Sequence, residues 1–383
     1  MVGRRFFLGQ VGAAAALVGA PALFGVARAQ ETAMSARHLT IGGSMPTTGP
    51  LGNAGRDHGA AIQAAFAGIN RAGGIHGREL RFVSKDDGYA PARTAANIKE
   101  LLEGEGAFAL MSVLGTANAA AILPMTEKGG VPVLGPITGA ASLRKEDFRH
   151  LFHVRPSYTD EVTRMVQQLV QMGLRDIAVV YLDNPFGKEV LGNAQAALAQ
   201  SQLKAVAAIP LAGDGRNAAE AVDAALASKA NAVFLGTTGT GTTDFVLGLR
   251  AKAPGTPVIG LSVTFTDIPR LGKHIAGLAV ASVFPNAKTR KFAVVRSFWA
   301  SIEAAKLDSG GLGLESWVNA QIMAEGIRRA GRDITRDKLR AALASIRGFD
   351  IGEISVNFGA ASPYVGTRNV KLGVFDSEGV LCT

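Results

Sequence analysis

Cysteine is nearly absent: Cys382, next to the C-terminus, is the only one in 383 residues. One thiol forms no internal disulfide, and there is no Cys cluster for zinc. Aromatic residues make up 6% of the chain, and only two of them are tryptophan. The Lys and Arg residues are scattered, without a basic run or an interleaved aromatic stripe, so nucleic acid is not an expected partner. The six histidines include one close pair, His150 and His153. That pair flanks an expected strand rather than sharing a helix face, which does not favour joint metal ligation. Catalytic signatures are missing as well. Gly260-Leu261-Ser262-Val263-Thr264 ends in Thr where a nucleophile elbow needs Gly. The G-x-G in 236–241 follows a third strand and completes no dinucleotide or Walker pattern. No paired acid and base stand out, so neither an enzyme nor a cofactor is expected.

No apolar run reaches the roughly 20 residues of a bilayer span. The longest, 11–26, is Ala/Gly-rich and contains Pro21. It follows Arg4-Arg5-Phe6-Phe7-Leu8 and precedes Ala27-Arg28-Ala29. A basic start, a mildly apolar centre and an A-x-A end read as a twin-arginine export signal over 1–29, cleaved after Ala29. No cysteine follows the run, so a lipid anchor is not expected, and the mature chain is placed in the periplasm. Of the formal +9, three charges are Arg4, Arg5 and Arg28, and residues 1–29 hold no acid, which leaves +6 for the rest.

What is present is ordinary α/β material, 48% hydrophobic and 19% charged. This length suggests two domains, large enough to need no staple. Near-continuous apolar strands are expected at 39–43, 80–85, 108–112 and 131–134, with helices at 54–71, 91–102 and 117–128 between and after them. Pro91 marks a helix start, and Gly73-Gly74 and Gly129-Gly130 mark helix ends. The rhythm restarts after Arg155-Pro156. Strands follow at 177–182, 205–209, 232–235 and 258–260, with helices at 159–172, 186–200, 218–228 and 242–253. Two such blocks imply an α/β fold of two doubly wound parallel-sheet lobes. The remainder reads as helices at 292–306, 316–330 and 336–346, then strands at 353–356 and 370–375. That tail suggests a return to the first lobe and one more crossing into the second.

A series of short motifs in fixed order carries a family resemblance. They are Thr48-Gly49-Pro50-Leu51-Gly52, Ile69-Asn70-Arg71-Ala72-Gly73-Gly74-Ile75-His76-Gly77-Arg78, Asp86-Asp87, Gly135-Pro136-Ile137-Thr138-Gly139, Val154-Arg155-Pro156 and Tyr181-Leu182-Asp183-Asn184-Pro185-Phe186-Gly187. In order and spacing the mature chain resembles the branched-chain amino-acid-binding proteins of ABC importers, the type I periplasmic binding fold. The resemblance implies two lobes joined by three hinge segments, with crossings placed near Arg155, Pro285 and Gly348. Lobe one would then comprise 38–155 and 285–347, and lobe two 156–284 and 348–383. It implies a monomer that closes on an amino acid or other small carboxylate and docks on an inner-membrane ABC permease. A sensor for a chemoreceptor or kinase would use the same fold, and the chain alone does not separate the two.

Ligands of open α/β sheets sit beyond the carboxyl ends of the strands. In 112–118, a Gly-Thr turn opening a helix exposes N–H groups and a hydroxyl suited to an anion. By the resemblance Thr116 holds the solute's carboxylate, whereas by itself it reads as a helix cap. Thr138, with the Gly139 N–H, takes the paired part, the alternative being an ordinary turn. Phe186 corresponds to an aromatic that caps the solute, although Phe at a helix start is commonly core. Thr237 and Thr238 replace an aromatic-bearing loop. Near Ser262 the family places a Glu that pairs with the solute's ammonium; here no acid follows until Asp267. A solute without a free α-amine is one reading, and substitution by Asp183 or Glu315 is another. Arg56 offers a fork for a carboxylate or a solvated helix-start charge, and Trp317 a pocket wall or core packing. Asp86-Asp87, at a strand end, is expected to order a turn.

Overall fold

The computed structural model describes residues 37–383. The expected export signal lies outside them. Among the described residues no helix is long and apolar enough to cross a membrane.

Two sheets form the frame. The first has the order β13-β5-β4-β3-β1-β2 and is parallel throughout. Its strands are β1 (His38–Met45), β2 (Glu79–Asp86), β3 (Ala109–Met111), β4 (Val133–Leu134), β5 (Leu151–His153) and β13 (Tyr364–Val365). The second has the order β15-β14-β10-β9-β8-β6-β7. It comprises β6 (Ile177–Leu182), β7 (Ala207–Leu211), β8 (Ala232–Gly236), β9 (Val258–Gly260), β10 (Ala279–Ser282), β14 (Lys371–Phe375) and β15 (Leu381–Cys382). Only β14 runs antiparallel to its neighbours there. A third, two-stranded piece pairs β11 (Phe349–Asp350) with β12 (Ser355–Val356). In both large sheets the order reverses beside the first strand of the block, β1 or β6. The loops following β1, β3 and β4, and those following β6, β8 and β9, are the carboxyl-end loops where solutes collect.

Helices α1 (Gly52–Arg71), α2 (Pro91–Glu103) and α3 (Thr116–Lys128) belong to the first block. Its small residues let α1 sit against the β1 loop: a Cβ on Gly55 would fall 1.7 Å from the Pro46 carbonyl oxygen. The second block carries α4 (Tyr158–Gln171), α5 (Pro185–Gln200), α6 (Ala218–Ala227), α7 (Thr240–Lys252) and the single turn α8 (Ile268–Leu271). Ser157 and Asp160 close a capping box at the start of α4. Asn184 caps α5, accepting from the Gly187 N–H at 2.9 Å with Pro185 in the first turn. Then α9 (Ala293–Ala305) and α10 (Leu314–Ala330) return to pack on α1, and α11 (Arg336–Ala344) packs on α10.

Three apolar cores result. One lies under α1, α9 and α10, and another beneath α6 and α7. The third spans both lobes, joining Ile98, Leu110 and Ile122 to Val162, Ile177 and Phe234. The chain passes from the first sheet to the second between β5 and α4, beside Arg155, and leaves the second between β10 and α9, beside Pro285. The third passage does not lie near Gly348. Phe152 stacks on Tyr364 at 4.4 Å and meets Phe358 edge-on at 5.4 Å, and β13 pairs with β5. Those aromatic contacts keep 349–365 on the first lobe, so the chain crosses between β13 and β14. Strand β10, too short to show a pattern in sequence, fills the slot between β9 and β14.

Two buried histidines make this fold acid-sensitive. Burial, then the nearby Arg155 charge, lowers the pKa of His58 to about 4. Burial and Arg144 lower that of His153 to about 3, against a weaker opposing bond to the Leu143 carbonyl. The unfolded chain takes up a proton at each near 6.5, whereas the folded chain waits for these lower values. Stability therefore falls as pH drops below 6.5, by about 1.4 kcal/mol per pH unit for each histidine. Urea denaturation at pH 7, 6 and 5 is expected to show this decline, and His153→Gln to remove about half of its slope.

Candidate functional site

Where the carboxyl-end loops of the two sheets face each other, a cavity opens between the lobes. Leu51, Leu114 and Ile137 wall it from the first lobe, and Phe186, Val263 and Phe265 from the second. The mouth is narrow: the Gly239 position of lobe two lies within 3.5 Å of Pro50 and Leu51 of lobe one, measured from a built Cβ.

At the first-lobe end, Thr116 opens α3 behind Gly115, whose φ of 106° is left-handed territory. A side chain on Gly115 would also strike the Tyr89 ring, at 2.5 Å from a built Cβ. Thr116 lines the cavity, and its Oγ1 lies 2.8 Å from Thr138 Oγ1. The Ala140 N–H donates to Thr138 Oγ1 at 3.2 Å. Thr138 is fully buried and stands behind Thr116 rather than in the wall.

Tyr89, another wall residue, has φ 65°. Its N–H donates to Asp87 Oδ1 at 2.8 Å, while Ser44 and Thr94 hydroxyls donate to Asp87 Oδ2 at 2.9 and 3.0 Å. Asp86 holds the β1 loop through the Thr47 and Thr48 N–H groups, the Thr48 hydroxyl and the Gly88 N–H. Slight burial opposes, but these bonds hold the Asp86 carboxyl well below the usual range. The Asp86-Asp87 pair thus orders the turn that carries Tyr89.

At the base of the cavity lies a buried ion network. Arg155, 1% exposed, donates from Nη1 to Glu315 Oε2 at 3.2 Å and from Nη2 to Glu161 Oε1 at 3.3 Å. Nη2 also contacts Ser262 Oγ closely, and the Ser262 N–H donates to Glu161 Oε2 at 2.9 Å. The guanidinium lies 5.6 Å from the Tyr158 ring centroid. Glu161 belongs to α4, Ser262 to the loop after β9, and Glu315 to α10, so one cation joins both lobes at the first crossing. Burial works against the Arg155 charge, but the two carboxylates outweigh it and hold the group protonated. Burial pushes the Glu315 carboxyl up, and Arg155 opposes.

The residues marked in sequence fare differently. Thr116, Phe186, Thr238, Ser262 and Glu315 all line the cavity. Phe186 meets Tyr158 edge-on at 5.2 Å, and Thr238 donates to the Val263 carbonyl at 2.6 Å. Arg56 does not take part. It is exposed and bonded to the Thr47 carbonyl and Asn53, because its helix face turns outward at the mouth. Gly139 does not face the cavity either: its carbonyl accepts from the Tyr158 N–H at 2.7 Å, and a Cβ there would hit that backbone. Asp183 is exposed and paired with Lys188 at 2.9 Å. Asp267 lines a separate cleft at the mouth. Trp317 is core, and Thr237 is buried away from the wall. Sequence reading missed Tyr89, Tyr158 and His58, which line the cavity, and Glu161, which supports it. Tyr158 was detectable as the residue after a capping-box Ser; the others carry no local signal.

Comparison with known proteins places this geometry. A family model described as periplasmic binding protein matches residues 38–362. The fold is similar to that of a substrate-binding periplasmic protein from Ralstonia solanacearum, with TM-score 0.84, 30% identity, and 89% of this chain and 99% of that one covered. It is also similar to an ABC-transporter solute-binding protein from R. palustris solved with benzoate, with TM-score 0.79, 19% identity, and 90% and 95% covered. Among curated proteins the chain is similar to BasB of Halobacterium salinarum, a chemotactic signal transduction system substrate-binding protein. The identity is 27% over 222 residues, 55% of this chain and 53% of BasB. The chain spans about half the length of the curated relatives it matches.

Removing the central cation leaves two carboxylates buried without their counter-ion. Arg155→Met is expected to cost about 3–5 kcal/mol in urea unfolding, since an uncompensated buried charge is the main loss. Equal stability of variant and parent would show that the network does not hold the lobes.

Proposed function

Because the chain belongs to the periplasmic binding protein family, we propose that it captures an amino acid or other small carboxylate between closing lobes and hands it to an inner-membrane ABC permease. Binding, not turnover, is what this family does. The observation that carries the reading is the hydroxyl pair of Thr116 and Thr138, 2.8 Å apart at the start of α3. The Ala140 N–H already donates to Thr138. Either hydroxyl can be the donor in the pair, and with Thr138 donating to Thr116 the Thr116 hydroxyl is free to donate into the cavity. With the unpaired N–H groups of the helix start, that hydroxyl forms a receptor for a carboxylate. Bonds of this charge-assisted kind contribute about 1.5–3 kcal/mol each.

Closure follows from the placement of the walls. A carboxylate held by Thr116 has Phe186, Thr238 and Phe265 of the other lobe against its remaining surface. Those contacts exist only when the lobes meet, so the solute binds the closed form better and shifts the hinge equilibrium toward it. The R. palustris protein solved with benzoate supports a carboxylate in this fold. The twin-arginine leader supports a periplasmic site of action.

A sensory role is the second reading, favoured by the likeness to BasB. Loss of solute uptake on deleting the gene supports import, and loss of taxis with uptake intact supports sensing.

A thermal-shift screen of amino acids and small carboxylates is expected to find a solute that raises the melting temperature. Thr116→Ala with Thr138→Ala is expected to weaken that solute at least tenfold in calorimetry, and X-ray scattering to show compaction when it binds. Unchanged affinity in the double variant, or one shape with and without solute, would refute the reading.

A further inference from the structure

Among the acids near the cavity, one oxygen stands out. Glu315 uses Oε2 to accept from Arg155 at 3.2 Å. Its other oxygen, Oε1, is buried and has no hydrogen-bond partner among the described residues. The residue is 8% exposed and lines the same cavity as Thr116. A buried carboxylate oxygen without a donor loses hydration and gains nothing in return.

The surrounding charge points the same way. Arg155 is one cation shared by two carboxylates, Glu161 and Glu315. Glu161 is satisfied on both oxygens, by Arg155 and by the Ser262 N–H, and is absent from the cavity wall. His58, the one histidine of the wall, is tied to Ser316 Oγ at 2.8 Å. Burial, then Arg155, lowers its pKa to about 4, so it adds no positive charge near neutrality. Of the two carboxylates on Arg155, the one left with an unpartnered oxygen is the one that lines the cavity.

We infer that Glu315 is the specificity-determining residue of this site, its Oε1 receiving the ammonium of a solute whose carboxylate lies at Thr116. This inference rests on the carboxylate reading and narrows it to amine-bearing acids. An ammonium there gives Oε1 a charged donor, whereas the same acid without its amine leaves that oxygen unpartnered. The missing acid near Ser262 is thereby replaced from α10, on the other lobe. Ser262 itself is occupied by Arg155 and Glu161, which anchor the network rather than contact the amine.

Matched pairs of solutes on one carbon skeleton test this on the mature chain: leucine with 4-methylpentanoate, valine with 3-methylbutanoate, phenylalanine with 3-phenylpropanoate. Calorimetric titration is expected to show at least tenfold tighter binding of the amine-bearing member of the recognised pair. Glu315→Gln is expected to abolish that difference. Glu315→Asp, which withdraws the carboxylate but keeps the ion pair's charge, is expected to reduce it by an intermediate factor and decides the matter if the Gln variant does not fold. Equal or tighter binding of the amine-free acid, or a preference unchanged in the variants, overturns the role of Glu315 and leaves the carboxylate reading intact. Binding of neither member of any pair overturns both.

Discussion

Arg155 is the constraint on which the arrangement depends. A guanidinium buried to 1% exposure is sustained only by opposing charges and hydrogen bonds, and its partners come from three separate elements, two of them more than a hundred residues away. Glu161 lies on the first helix after the crossing, Ser262 in a second-lobe loop and Glu315 on a helix that has returned to the first lobe. To satisfy one planar cation, those three elements meet where the chain first passes between lobes. The cavity opens beside that meeting point, so its base is electrostatic and its sides are apolar.

The lobes repeat one device on either side of this base. After the third strand of each block the chain turns at a glycine with positive φ and enters a helix at a threonine. In one lobe these are Gly115, at φ 106°, and Thr116; in the other, Gly239, at φ 86°, and Thr240. Only the first pair delivers its hydroxyl to the cavity. Gly239 instead lies against Pro50 and Leu51 at the mouth, where a bare backbone lets the lobes approach. The same local structure thus serves as a receptor on one side and a contact surface on the other, according to what faces it.

Much of the frame was legible because it rests on local patterns. The apolar runs at 177–182 and 258–260 became β6 and β9 without change, and Pro91 marked a helix start correctly. The segment 349–365 misled because its burial depends on a distant partner. Phe358 and Tyr364 read as ordinary tail residues until Phe152 supplies the surface that holds them on the first lobe. Arg56 misled for a similar reason: its position beside the motif was right, but the helix face it occupies turns outward.

By itself the sequence determined the α/β class, the paired blocks and the Gly-Thr turn that opens α3. All of these follow from periodicity, caps and turn residues acting within a few positions of one another. Only the tertiary structure decided which acid faces the solute. Asp183, Asp267 and Glu315 are alike as carboxylates in a sequence, and burial, direction and the availability of a counter-ion separate them. Those properties arise only when Arg155 and Glu315, 160 positions apart, share one buried space.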